Sequence, residues 1–145
     1  VSASNKPNLD DKEGGFHEEG GVYGKDINGE YQVRHAKPGP FTEPDANVMA
    51  TIDPDDPANP NAPLIVREGS FHVHPRGTRS PGANTLGGVT KSFNQSPTDP
   101  QDFLEASRYP GNSYVLGAKG TVTIYNGGGI LATFPLNEFI KIGNE

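Results

Sequence analysis

The chain contains no cysteine, no tryptophan and only one methionine, and 32% of its 145 residues are hydrophobic. The absence of cysteine excludes disulfides, thiolate catalysis and cysteine-type zinc fingers, so any metal must be held by histidine and carboxylate side chains. The apolar content makes a lean core but exceeds that of a disordered chain. We therefore expect one compact, loop-rich domain over residues 16–145, preceded by a polar N-terminal tail over residues 1–15.

Basic residues are also scarce, with 12 Lys and Arg against 18 Asp and Glu and a formal charge of -6. This charge repels nucleic acids and anionic membrane surfaces, so neither is expected as a partner. No apolar run approaches the roughly 20 residues that span a bilayer, and no signal-peptide pattern is visible, which predicts a soluble protein. The polar start without an initiator Met is typical of a mature form or of part of a larger polypeptide.

Glycine and proline are abundant and separate short extended stretches. Residues 21–25 and 30–35 predict two strands of a hairpin around the Asn28-Gly29 turn. NVMATI, residues 47–52, predicts a short strand. The Pro/Asp-rich stretch DPDDPANPNAP, residues 53–63, predicts a solvated loop because its prolines interrupt regular structure.

The second half of the chain predicts one helix and several more strands. SPTDPQDFLEASRYPG, residues 96–111, reads as a helix in which Phe103, Leu104 and Ala106 form an apolar stripe and Pro110-Gly111 ends the helix. Three further features follow along the chain: a turn at Lys119-Gly120 between strands, a second turn at residues 127–129, and a terminal helical turn at residues 136–142. The pattern indicates an α/β (α+β) fold with a mixed central sheet and few helices.

Two histidines lie one residue apart in LIVREGSFHVH, residues 64–74. Alternation along a strand places His72 and His74 on one face together with Glu68 and Ser70. The imidazoles are about 6.6 Å apart along the chain, and both can reach one ion at about 2.1 Å. The spacing permits chelation, but a metal site also needs a third ligand.

The stretch SPTD could supply that ligand. Asp99 sits at the predicted helix start, where the positive end of the helix dipole favours an ionised carboxylate. The same residues also fit a structural role, because Ser96 with Asp99 resembles a capping box and Asp99 could be an N-cap before Pro100. Both interpretations stay open, since a capping side chain can also face a cleft.

Three common metal motifs do not fit. HEEGG at His17 begins like HExxH, but Gly21 stands where the second histidine must be. A cupin needs a glutamate shortly after its histidine pair, whereas residues 75–79 read PRGTR. Residues 53–63 lack the spacing, central glycine and closing glutamate of an EF-hand.

HVHP followed by SPTD, with the upstream HEEGGVYG, resembles the HxHP...SxxD signature of the JAMM/JAB (MPN+) zinc metalloproteases. The resemblance extends over about residues 16–125 and implies a JAB/MPN-like, cytidine-deaminase-like architecture. In that family two histidines and an aspartate bind zinc, a serine assists at the carbonyl, and a glutamate three residues before a glycine is the general base. The implied residues are the ligands His72, His74 and Asp99, the serine Ser96 and the base Glu18, with Gly21 following it.

The resemblance implies a zinc metallopeptidase that hydrolyses a peptide or isopeptide bond in a protein substrate through metal-activated water. Relatives include ubiquitin-chain peptidases, bacterial peptidases acting on small ubiquitin-like carriers, and domains of bacterial polymorphic toxins, which the compact chain resembles most. The sequence leaves the compartment undecided, and the resemblance is compatible with the bacterial cytoplasm or with delivery or secretion as a toxin-type module. Two alternatives stay open: an inactive JAB/MPN-like binding or scaffold domain, and a zinc amidase acting on a cell-wall peptide.

Two other glutamates compete with Glu18 for the role of base. Glu19 would point to the opposite side of an extended chain, and Glu68 lies about 13 Å from His72 along a regular strand, so that only a bulge could bring it to the ion. Residues 76–95 form a longer connection than the family resemblance implies, and we expect this loop to shape substrate access.

Overall fold

Six strands form one mixed sheet in the order β2-β1-β3-β6-β7-β8, and β4 and β5 form a separate ribbon. The computed structural model describes residues 1–44, 49–61, 63–81, 90–98 and 100–143. The strands are Gly20–Lys25 (β1), Tyr31–His35 (β2), Val66–His74 (β3), Thr78–Arg79 (β4), Lys91–Ser92 (β5), Ser113–Gly117 (β6), Thr121–Asn126 (β7) and Gly129–Pro135 (β8), and the helices are Ser2–Asn5 (α1), Gln101–Ala106 (α2) and Leu136–Gly143 (α3). This is a compact α+β fold with few helices, which confirms the predicted fold class.

The first hairpin forms where its turn residues predict it. β1 and β2 pair antiparallel along their length. The carboxylate of Asp26 accepts hydrogen bonds from the N–H groups of Asn28 and Glu30. Gly29 has a φ of +76°, which glycine adopts without a Cβ clash. The local turn chemistry therefore fixes this hairpin.

The centre of the sheet is a parallel pair, β3 and β6, within otherwise antiparallel pairings. A parallel pair requires a crossover connection, and here the crossover carries β4, β5 and α2. Helix α2 packs through Ala106 against Val115 and Tyr125 in the buried core. Val115 pairs with His72 across the sheet, so their side chains lie on the same face. Helix α2 therefore covers the face that carries the two histidines.

The C-terminal part follows the predicted turns and helix. β6, β7 and β8 form antiparallel neighbours, and α3 follows β8 directly. The Phe139 ring of α3 lies 6.2 Å from the Tyr114 ring and 5.7 Å from the Phe134 ring. Because Tyr114 alternates with Val115 along β6, α3 covers the face opposite to α2.

The segment 1–15, expected as a polar tail, instead packs against residues 16 and 17, which lead into β1. Ser4 and Asp11 are fully buried. The Asp11 carboxylate accepts the backbone N–H groups of Gly14 and Phe16, both at 2.8 Å. Burying polar side chains is tolerated when they are hydrogen-bonded, and these partners are invisible in a composition-based prediction.

The predicted strand NVMATI is not formed where the structure describes it. Residues 47 and 48 lie outside the described residues, and residues 49–52 belong to no strand. Strand β1 already has β2 and β3 as neighbours, so its two edges are both paired. Residues 49–52 instead line a cleft.

The loop over residues 53–63 is less solvated than its composition predicts. Asp55 accepts hydrogen bonds from Arg67 Nη1 at 2.7 Å and from the Tyr109 hydroxyl at 2.9 Å, and its carboxylate lies 3.7 Å from Arg34 Nη2. This aspartate therefore ties the loop both to the sheet and to the segment after α2.

Helix α2 is shorter than its sequence pattern, and one residue of the predicted apolar stripe is misplaced. Ala106 is buried and the Phe103 ring lies 5.5 Å from the Tyr125 ring, whereas Leu104 is 61% exposed. Positions 103 and 106 lie on one side of the helix, and position 104 is rotated by about 100° from 103. Leu104 therefore faces away from the core.

The long connection after Pro75 contains the β4/β5 ribbon, in which Thr78 pairs with Ser92. Arg79 donates hydrogen bonds to the carboxylates of Glu13 and Glu43. The described parts of this connection, residues 76–81 and 90–95, do not line the cleft; the other loop residues, 82–89, lie outside the described residues. No helix in the described part of the chain has the length and apolar character to cross a bilayer.

Candidate metal centre

The two histidines predicted as ligands converge at the C-terminal end of β3. His72 and His74 are 3% and 5% exposed, and their Nε2 atoms lie 3.0 Å apart. Val73 between them points to the other face of the sheet, as alternation requires. The predicted convergence of the pair is therefore present in the fold.

A carboxylate from α2 faces both imidazoles. Asp102 Oδ1 lies 3.2 Å from His72 Nε2, and Asp102 Oδ2 lies 3.2 Å from His74 Nε2. The N–H of Thr98 donates to Oδ2 at 2.6 Å, while the Thr98 carbonyl accepts the Asp102 N–H at 2.9 Å. These two hydrogen bonds hold Asp102 in the first turn of the helix with its side chain over the histidines.

Glu18 is the third group at the centre. It is 4% exposed, and its Oε1 lies 3.8 Å from His74 Nε2. Its carbonyl accepts the Gly39 N–H at 2.9 Å, and the carbonyl of the next residue, Glu19, accepts the Val73 N–H at 2.8 Å. The backbone that carries Glu18 is thus bonded directly to the strand residue between the two histidines.

The donor atoms at this centre fit a divalent cation. Adjacent ligand atoms of a tetrahedral zinc site are about 3.3 Å apart, close to the 3.0 Å and 3.2 Å separations among the nitrogens and the Asp102 oxygens. The Nδ1 atoms of His72 and His74 are buried without a hydrogen-bond partner among the described residues. The Nε2 atoms are therefore the ring nitrogens that face the Asp102 carboxylate, and the buried Glu18, His72 and His74 could hold a metal ion.

Burial and nearby charges shift the pKa values of His72 and Asp102 in the direction that metal binding requires. Burial lowers the pKa of His72, although Asp102 partly opposes the shift, so its imidazole is neutral at pH 7. Burial alone would raise the pKa of Asp102, but hydrogen bonds from His72 and His74 bring it well below its usual range. The centre therefore presents a neutral imidazole at His72 and an ionised carboxylate at Asp102.

Glu18 differs from Asp102 in its electrostatics. Burial raises its pKa well above the usual value, and the nearby charges of Asp102 and Glu105 raise it further. Its 3.8 Å distance from His74 Nε2 also exceeds the separation of about 3.3 Å between adjacent ligand atoms of a tetrahedral zinc site. These properties fit a proton acceptor better than a permanent ligand.

A cleft of about 340 Å³ opens above the centre. One wall is the extended segment 49–52, and the other is the exposed side of α2 with the residues next to it. The residues on the α2 side are Thr98, Gln101, Leu104, Glu105 and Arg108. Met49 and Leu104 expose large apolar side chains here, at 41% and 61%.

The structure brings together Glu18, His72 and His74 but not every residue that the motif implies. Ser96 is exposed, its N–H is bonded to Asn94 Oδ1, and it is not among the described residues that line the cleft. Asp99 lies outside the described residues. The SxxD motif pointed to Asp99 and therefore missed Asp102. The sequence did carry a signal, because Asp102, Glu105 and Ala106 recur at helical spacing after Pro100. This recurrence could have identified the side of the helix that faces the protein.

The competing glutamates have other partners. Glu19 Oε1 lies 3.0 Å from His17 Nε2, on the side away from the cleft. The register between β1 and β3 shifts next to Glu68, but the bulge leaves its carboxylate with the Tyr31 hydroxyl at 3.4 Å. Glu18 is therefore the glutamate that this fold presents to the histidine pair.

Comparison with protein-family models, curated proteins and solved structures finds no match for this chain. The chemistry of the site therefore carries the functional interpretation.

Proposed function

We propose that this chain is a zinc-dependent metallopeptidase of the JAMM/JAB type that hydrolyses a peptide or isopeptide bond. The supporting observation is the buried group of His72, His74 and Asp102, with the Glu18 carboxylate 3.8 Å from His74 Nε2. We assign the third ligand to Asp102 because its carboxylate contacts both imidazoles. The histidine strand, the crossover helix bearing the aspartate and the following antiparallel strands also support a JAB/MPN-like arrangement.

Zinc bound by two imidazoles and one carboxylate would supply a polarised water with a pKa near 7. The Glu18 carboxylate accepts a proton from water that attacks the scissile carbonyl and returns the proton to the leaving amine. The raised pKa of Glu18 favours its uptake of a proton.

The hydroxyl group expected at the developing oxyanion has two candidates. The motif implies Ser96, whereas Thr98 is a hydroxyl residue that lines the cleft beside Asp102. Removing an oxyanion donor typically lowers the rate about 10² to 10³-fold. Comparing Ser96→Ala with Thr98→Val separates the two, and we expect the larger loss of kcat for the residue that faces the cleft.

Hydrolysis by the zinc-loaded protein tests the proposal. Three substrate classes are offered to one preparation: a peptide library, a lysine-linked isopeptide and a cell-wall stem peptide. We expect cleavage of peptide or isopeptide bonds, and a loss of about 10² to 10⁴-fold in kcat for Glu18→Gln with zinc retained. Cleavage of the cell-wall peptide alone would favour the amidase alternative. A zinc-loaded protein inactive on all three classes, or an undiminished Glu18→Gln variant, would contradict the proposal.

A further inference from the structure

A third histidine, outside the cleft, lies between two carboxylates. His17 is fully buried, with Nδ1 2.7 Å from Asp11 Oδ2 and Nε2 3.0 Å from Glu19 Oε1. Asp11 is also fully buried, and it accepts backbone N–H groups from residues 13, 14 and 16. We call Asp11, His17 and Glu19 the His17 clamp. Burying such groups is costly without good partners, and here both ring nitrogens of His17 have one.

The clamp lies on the opposite side of the chain from the cleft. His17 and Glu19 contact each other across one residue, so both side chains lie on the same side of this segment. Glu18, between them, points the other way and lines the cleft with His74. None of the three clamp residues is among the described residues that line the cleft.

The backbone carbonyls of residues 17–19 all accept hydrogen bonds. The His17 carbonyl accepts the Ser4 hydroxyl at 2.8 Å, and the Glu18 and Glu19 carbonyls accept N–H groups of Gly39 and Val73. These bonds fix where the segment lies. The His17 clamp in addition fixes its rotation about the chain axis, which decides where the Glu18 side chain is aimed.

We propose that His17, held by Asp11 and Glu19, is a positioning residue that aims the Glu18 carboxylate at the metal centre. This inference rests on the proposed function, in which Glu18 is the proton acceptor. A misplacement of a reacting group by about 1 Å can cost about 10²-fold in rate. Releasing the clamp should therefore lower kcat without removing a ligand or a wall of the cleft.

Glu19 is the best position for the test because its side chain is 21% exposed and thus tolerates substitution better than the two fully buried members. Glu19→Ala removes the contact with His17, and Glu19→Gln keeps an acceptor at the same place. His17→Asn provides an independent disruption, because its amide can replace Nδ1 but cannot reach Glu19. Glu68→Ala is the matched control, since Glu68 contacts Tyr31 away from the cleft.

Each variant is loaded with zinc and assayed for zinc content, kcat, KM and the position of Glu18 in a crystal structure. We expect one zinc per chain throughout and KM within about twofold of wild type. For Glu19→Ala and His17→Asn we expect kcat to fall about 10 to 100-fold with a displaced Glu18 carboxylate. Glu19→Gln should restore most of kcat, and Glu68→Ala should leave it unchanged.

The inference would be overturned if Glu19→Ala kept the wild-type kcat and the wild-type position of Glu18. It would also be overturned if Glu19→Ala and Glu19→Gln lost zinc to the same extent. If Glu19→Ala does not fold, His17→Asn and Glu19→Gln decide by the same criteria. If the wild type hydrolyses none of the substrates, the proposed function fails, while the position of Glu18 in the variant crystals still supports or overturns the aiming role.

Discussion

Asp102 and the two histidines show which parts of the site a sequence can reveal at the scale of single residues. His72 and His74 were predictable because alternation along one strand needs no knowledge of the rest of the fold. Glu18 was predictable from the family motif. Asp102 was not, because its contact with the histidines depends on where α2 begins and how the crossover returns over the sheet.

The third ligand can be identified by a matched pair of aspartate variants. Asp102→Asn keeps the side-chain volume but removes the charge that faces both imidazoles, and we expect zinc affinity to fall at least about 100-fold. Asp99→Asn should retain one zinc per chain. The measurement is zinc content by elemental mass spectrometry after dialysis against a chelator. The opposite ranking would restore Asp99, the ligand that the motif implies.

Glu105 gives a prediction about pH. Burial and the charge of Asp102 raise its pKa from 4.5 to about 7, with Arg108 partly opposing. The pKa of Glu105 is higher in the folded state than in the unfolded state, so its protonation stabilises the fold. This contribution to the free energy of unfolding is complete below about pH 4.5 and is lost as the pH rises through about 7.

Glu105→Gln should therefore remove this loss. We expect the metal-free variant to gain about 1 to 3 kcal/mol in free energy of unfolding relative to wild type between pH 5 and pH 8, after allowance for partial solvent screening. Urea unfolding of both proteins at the two pH values provides the test. A difference that does not change with pH would show that Glu105 ionises normally in the folded chain.

At the scale of elements, structure that depends on local turn chemistry was predictable from the sequence, whereas structure that depends on tertiary contacts was not. The hairpins were predictable because Asn28-Gly29 and Lys119-Gly120 form turns from their own residues. The packing of residues 1–15 and the position of residues 49–52 were not predictable, because their contacts cannot be read from a turn or strand pattern; Glu13, for example, binds Arg79. Asp55 belongs to this second kind, since its partners lie on β3 and after α2.

Tyr109 connects the two walls of the cleft through Asp55. Tyr109→Phe removes the 2.9 Å hydrogen bond to the carboxylate, and we expect a loss of about 1 to 3 kcal/mol in free energy of unfolding together with a raised KM. Tyr31→Phe is the control, because its hydroxyl makes a 3.4 Å contact with Glu68 and does not line the cleft. Equal effects of the two substitutions would show that Asp55 does not hold the walls together.

For the whole molecule, fold class was predictable from element lengths and turn spacing, whereas strand order was not. The order β2-β1-β3-β6-β7-β8 places the centre between β1, β3 and α2, which come from three separate parts of the chain. Such a site exists only in the folded state, so metal affinity and fold stability are linked.

Thermal unfolding with and without zinc measures that linkage. With free zinc at a hundredfold excess over Kd, the free energy of unfolding should rise by about 2.7 kcal/mol. Asp102→Asn should show little of this increase at the same zinc concentration. A wild-type melting temperature that does not respond to zinc would indicate that the folded chain has no ligand set for the ion.

The hydrogen bond from the Val73 N–H to the Glu19 carbonyl has a consequence for the newly synthesised protein. Glu18 leaves the ribosome long before the histidines, and Asp102 follows later still. The growing chain therefore cannot assemble the centre until the crossover helix has emerged and β1 has docked on β3. Ion capture, and any hydrolysis that depends on it, is delayed until translation of the domain is nearly complete.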